Sequence, residues 1–170
     1  MPKKPEEVAR QLLKHFGKNP PIDIESLLEA HNIVIRTQEL EDSVSGMLVI
    51  KDDRAIIGVN EGHHLNRQRF TLAHELGHFL LHRGASSIFI DASTVFFRDI
   101  TSSDGSKVQE IEANAFAAEL LMPEKQLRDM IRNQPFDAFD EGAVRRLAAQ
   151  FGVSAQALTI RLTKLGLINT

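Results

Sequence analysis

Residues 69 to 82 read RFTLAHELGHFLLH, and the rest of the chain is best read outward from them. Leu72, Ala73, Leu76, Phe79, Leu80 and Leu81 make the segment apolar almost all round, the pattern of a helix buried on every side. The helix is predicted over 66 to 83, with Gly84 as its stop. Inside it, His74-Glu75-Leu76-Gly77-His78 is H-E-x-x-H. On a helix the two histidines stand one turn apart on one face, where both imidazoles reach a single metal ion, and Glu75 lies beside them as a base. Buried His and Glu side chains need partners. A pair of hydrogen-bonded core histidines would satisfy part of that need; a metal ion satisfies all of it. Gly77 costs about 1 kcal/mol against Ala in a helix interior, so a second element or a substrate backbone is expected to pass close by.

A catalytic zinc needs a third protein ligand and an open fourth position for water. A third histidine of the H-E-x-x-H-x-x-G-x-x-H kind would fall at 84, which is Gly84. His82 is out of register with that pattern, and is expected as a cation at the helix C-terminus or as a group behind the metal ligands. A second strong helix, predicted over 108 to 122 and stopped by Pro123, offers Glu110, Glu112 and Glu119. At 100° per residue Glu112 and Glu119 share a polar strip, whereas Glu110 lies on the apolar arc with Asn114, Ala117 and Leu121. A buried carboxylate without a partner is strongly disfavoured, so Glu110 is the expected third ligand. Asn114, one turn on, is placed to hydrogen-bond a metal-bound histidine. Ala113, Ala115, Ala117 and Ala118 would let the two helices approach closely.

Together, RFTLAHELGHFLLH and EIEANAFAAELLMP (110 to 123) resemble the ImmA/IrrE family of zinc metallopeptidases, most recognisably over residues 60 to 123. The resemblance implies that His74, His78 and Glu110 bind zinc and that Glu75 is the catalytic glutamate. It also implies a cytoplasmic bacterial or phage protein whose substrate is a repressor of the helix-turn-helix type. The matching chemistry is a zinc-dependent endopeptidase in which Glu75 takes a proton from a zinc-bound water and later returns it to the leaving amine. Manganese or iron would also suit a site of two histidines and a glutamate.

Around this pair of helices the pattern is α+β. Helices are expected over 5 to 16 and 22 to 30, a strand over 33 to 35, and a hairpin of 46 to 50 and 54 to 59 turning at Asp52-Asp53. Two apolar clusters, 88 to 90 and 95 to 97, stand in a long Ser/Thr-rich excursion. An extended peptide substrate is expected to add to a sheet edge there, between Ile88 and Phe97, with Val95→Pro as its test. The sequence has no Tyr, so an oxyanion would be met by His63, His64, Arg67 or Arg98, among which nothing in the sequence chooses.

The 170 residues, 42% hydrophobic and 25% charged, suffice for one full core. The absence of Cys removes disulfides, thiol nucleophiles and sulfur-ligated metals. The charged N-terminus and the lack of an 18-residue apolar run point to a cytoplasmic protein with no membrane partner. Net charge is −3, yet residues 143 to 170 carry four cations and no acid. The expected organisation is a zincin-like core over 1–132 with a small, largely antiparallel sheet, a linker over 133–142, and a helix-turn-helix-like unit over 143–170. That unit turns at Gly152, with Ser154 as N-cap. DNA is the less favoured partner, since four cations are few. The competing reading is a metal-binding transcriptional regulator that binds DNA or a partner protein without cutting, and the two readings separate at Glu75.

Overall fold

The structure, a computed structural model, describes residues 4–17, 19–51, 54–92, 104–133, 136 and 140–168. Among them are seven helices and four strands. Helix α1 (Pro5–Phe16) begins on a proline and carries Glu6 and Glu7 in its first turn, where the helix dipole favours acids. Helix α2 (Ile24–Ala30) starts two residues later than the apolar spacing suggests, because the Asp23 side chain caps it by accepting from the Ser26 amide at 3.0 Å.

Strands β1 (Ile33–Gln38), β2 (Val44–Lys51), β3 (Arg54–Asn60) and β4 (Ile88–Ala92) form one sheet in the order β1-β3-β2-β4. The β2–β3 hairpin is antiparallel, as expected, and β4 joins β2 antiparallel at the edge. β1 pairs in parallel with β3, so the sheet is mixed. Strand alternation turns Ala55, Ile57, Leu48 and Phe89 inward. Helix α3 (Leu65–His82) crosses that inner face, and α4 (Asp104–Leu121) packs along α3. Leu76, Phe116 and Leu120 are fully buried between these layers.

The N-terminal end of α4 lies one turn earlier than the apolar spacing predicts, since the turn before Val108 is polar and carries no periodicity. The Asp52-Asp53 turn, the apolar cluster 95 to 97 with Val95, and Arg98 lie outside the described residues.

Helix α5 (Glu124–Asn133) follows the break at Pro123. Helix α6 (Glu141–Phe151) ends on Gly152 at φ 64°, and α7 (Ala155–Lys164) is capped by Ser154, which accepts from the Ala157 amide. This helical pair packs onto the rest of the chain. Arg69 donates to the Gly152 and Ile22 carbonyls, Arg128 to Leu165, and Arg161 to Met122.

The charge of the pair differs from the reading of 143–170 alone. Arg145 pairs with Glu141, Arg146 with Asp140, and Arg161 is buried against Glu119. Glu119 is therefore not on an exposed polar strip with Glu112: it is 2% exposed and meets both Arg161 and, at 3.3 Å, Arg10. A wheel drawn for one helix cannot register that α1 and α7 cover that side and bring cations with them.

Candidate metal centre

The α3 segment 71 to 78 is buried without interruption, between the sheet and α4. Gly77 makes the α3–α4 approach possible. A Cβ there would stand 3.0 Å from Phe116 Cδ1, 3.2 Å from Ala113 Cα and 3.3 Å from its carbonyl oxygen. The close neighbour expected at Gly77 is thus a second helix.

That approach brings Glu110 of α4 against the histidines of α3. Its carboxylate oxygens lie 3.3 Å from His74 Nε2 and 3.1 Å from His78 Nε2, and the two Nε2 atoms are 3.0 Å apart. A tetrahedral ion at about 2.1 Å from each donor would space the donors about 3.4 Å apart, close to this triangle. The donor set of two imidazoles and a carboxylate suits zinc, and the residues present fit such an ion. His74 Nδ1 lies 3.1 Å from Asn114 Oδ1, so the ring donates from Nδ1 and presents Nε2 to the triangle. His78 stacks on Phe89 of β4 with ring centroids 4.6 Å apart. His82 stays outside the triangle: its Nε2 is 3.6 Å from Glu112, and burial beside His78 lowers its pKa.

Electrostatics follow from burial against proximity. Burial disfavours protonated His74, yet the hydrogen-bonded Glu110 carboxylate, with Glu75 and Asp91 nearby, raises its pKa to about 9. Burial would likewise raise Glu110, but the two histidines hold it at about 2. Glu75 is fully buried, which pushes its carboxyl up to about 8 against the pull of His74. Neither Glu75 oxygen has a hydrogen-bond partner.

Of the groups offered for an oxyanion, His64 caps α3, His63 reaches the Asp42 carbonyl, and Arg67 donates to Ser45 Oγ at 2.9 Å. Among the described ones, Arg67 is the one whose charge is felt at the centre, through Asp91. Sequence reading passed over Asp91 itself. It sits 4% exposed on β4, with one oxygen within 4.8 Å of a Glu75 oxygen and a His74 nitrogen. The signal was the lone charge in the apolar strand IFIDA, on the same face as Phe89.

Comparison with known proteins shows the family to which the chain belongs. The model of the IrrE N-terminal-like domain, Peptidase_M78, matches residues 28–163. A protein of Bacillus phage phi105 named uncharacterized immunity region protein 2 is 29% identical over 115 residues, 68% of this chain and 66% of that one. Metallopeptidase ImmA of Bacillus subtilis (strain 168) is 27% identical over 114 residues, 67% of this chain and 59% of that one. The chain thus spans roughly three fifths to two thirds of these relatives. A Mycobacterium tuberculosis transcriptional regulator shares the fold, with a TM-score of 0.63 at 19% identity over 94% of this chain and 46% of that one. With its two helices joined through Gly77 and a family model matched over most of its length, the chain belongs to the IrrE N-terminal-like domain family.

Proposed function

We propose that this chain is a zinc-dependent endopeptidase that makes a site-specific cut in a cytoplasmic protein, a helix-turn-helix transcriptional repressor. The observation that carries the reading is the triangle of His74, His78 and Glu110 donors with Glu75 buried and uncommitted beside it. A zinc ion held by those three residues supplies Lewis acidity, activating a water and polarising the scissile carbonyl. Glu75 accepts the proton of the attacking water and delivers it to the leaving amine. Burial makes Glu75 a stronger base than an ordinary carboxylate, and a cation held in the neighbouring triangle would favour the ionised form in which it can take the proton. Asn114 keeps His74 in the tautomer that presents Nε2. The substrate is taken to lie extended along β4, the strand that ends the sheet beside the centre.

The repressor as substrate rests on the family and on the name of the phi105 relative, an immunity region protein. Binding to DNA through α6–α7 has less support, because three of that unit's four cations face carboxylates. No described helix is long and apolar enough to cross a membrane, and a cytoplasmic site of action is part of the proposal. The test compares new protein N-termini in a lysate of the source organism treated with zinc-loaded wild type or with Glu75→Gln. A cut made by wild type alone, inside a helix-turn-helix protein, is the expected result. Identical lysates would favour a regulator that binds without cutting.

A further inference from the structure

Glu75 on α3 and Asp91 on β4 approach each other from separate elements, one oxygen of each lying within 4.8 Å of the other and of a His74 ring nitrogen. Both residues are buried, and the Glu75 carboxylate has neither oxygen hydrogen-bonded. Without an ion, burial favours the protonated form of both carboxyls, and a divalent cation seated between them would take the place of those protons and give the unpartnered Glu75 oxygens a partner. His74 has no nitrogen to spare for a further ion. Its Nδ1 is engaged by Asn114, and its Nε2 belongs to the triangle with His78 and Glu110. Of the positive groups acting on Asp91, His74 is the strongest, followed by the exposed Arg67, whose guanidinium is held on Ser45.

We propose that Glu75 and Asp91 form a second, weaker divalent-cation position beside the His74–His78–Glu110 site, filled when metal is in excess. The inference rests on the zinc reading of the first site. Two carboxylates make an oxygen-rich seat, suited to Zn2+ and to harder ions such as Mn2+. An ion seated there takes Glu75 as a ligand and removes it as a base, so the centre is self-limiting: the first ion arms it and the second silences it.

The test is equilibrium dialysis of the full chain against Zn2+ from submicromolar to millimolar, with bound metal counted per chain by mass spectrometry. Wild type is expected to rise from one ion to two, while Asp91→Asn and Glu75→Gln stop at one. Thermal melting alongside identifies any variant that has not folded. Mn2+ added to the one-zinc protein should give a bound-ion paramagnetic resonance spectrum in wild type that Asp91→Asn lacks. Two ions in folded Asp91→Asn would mean an adventitious surface ion and overturn the proposal, as would a wild type that stops at one. Glu110→Ala separates the two readings: if it keeps the tight ion, the first-site assignment fails, while the Asp91 comparison still decides the second.

Discussion

His74 holds its proton against burial chiefly because Glu110 touches it, with Glu75 and Asp91 adding to the pull, and a metal must expel that proton to take Nε2. With a pKa of about 9, His74 is mostly protonated at pH 8; an ordinary histidine, at 6.5, is not. Zinc binding at pH 8 should therefore release about one proton per ion, read by titration calorimetry in two buffers of different ionisation enthalpy. The sign is fixed: affinity falls as pH drops below about 9, since the proton competes with the metal. Release near zero would show that Glu110 does not raise His74. Glu110→Ala should also strip metal from the protein while Glu112→Ala leaves the content unchanged, because Glu112 faces His82 and not the triangle. Loss from both would detach the metal from Glu110. The proximity of His74, Glu75, His78, Glu110 and Asn114 is legible in sequence because each lies at helical spacing on one of two helices. Asp91 is not, for its place beside Glu75 depends on β4 pairing with β2 at the sheet edge, and local spacing does not record which strands pair.

Two glycines set how closely the elements around the centre approach. At Gly77 alanine would gain about 1 kcal/mol of helix propensity, but its Cβ meets the Ala113 backbone and the Phe116 ring. Relief requires α4 to retreat, and α4 carries Glu110 and Asn114. Gly77→Ala should thus cost metal affinity more than stability, with a net destabilisation of about 1–2 kcal/mol in urea denaturation. Gly105→Ala is the contrast, because nothing lies within 4 Å of its added Cβ, and it should leave metal binding untouched. At Gly46 a Cβ would overlap Thr71 Cγ2 and stand 2.8 Å from the Gly58 carbonyl oxygen, pushing β2 off α3 below Glu75. Gly46→Ala is expected to lower stability by about 1–3 kcal/mol. Retention of full metal affinity in Gly77→Ala would mean that the α3–α4 distance does not govern the site. At this scale the order of helices and strands is readable from periodicity, and Gly77 itself announces a close neighbour. The parallel pairing of β1 with β3 is not readable, because partner choice between strands leaves no mark on local spacing.

Across the whole molecule, the C-terminal helices are tied to α4 by a charge cluster of Arg161, Glu119 and Arg10, with Arg161 also donating to the Met122 carbonyl. A sequence reading makes 143–170 a separate basic unit because Asp140 and Glu141, which pair with Arg146 and Arg145, fall just outside it, and because Glu119 is far away in sequence. Arg161 and Glu119 are both buried, and removing Arg161 leaves Glu119 with the half-exposed Arg10 as its one remaining charged partner, so the loss should approach but not exceed the roughly 3–5 kcal/mol of a fully orphaned buried charge. Arg161→Ala should therefore destabilise the entire chain by about that much. Arg10 is half exposed, and Arg10→Ala should cost no more than about 1 kcal/mol. The double change Arg161→Met with Glu119→Gln removes both charges and should recover much of the loss, which shows that the penalty comes from orphaning a charge rather than from losing a bond. Urea unfolding followed by far-ultraviolet dichroism distinguishes the outcomes. One transition that moves to lower urea in Arg161→Ala means that α6–α7 and the core around α3 and α4 fold as a unit. Two separated transitions in the wild type, with only the smaller moved by the substitution, would make 143–170 an autonomous domain and the buried pair merely a docking contact.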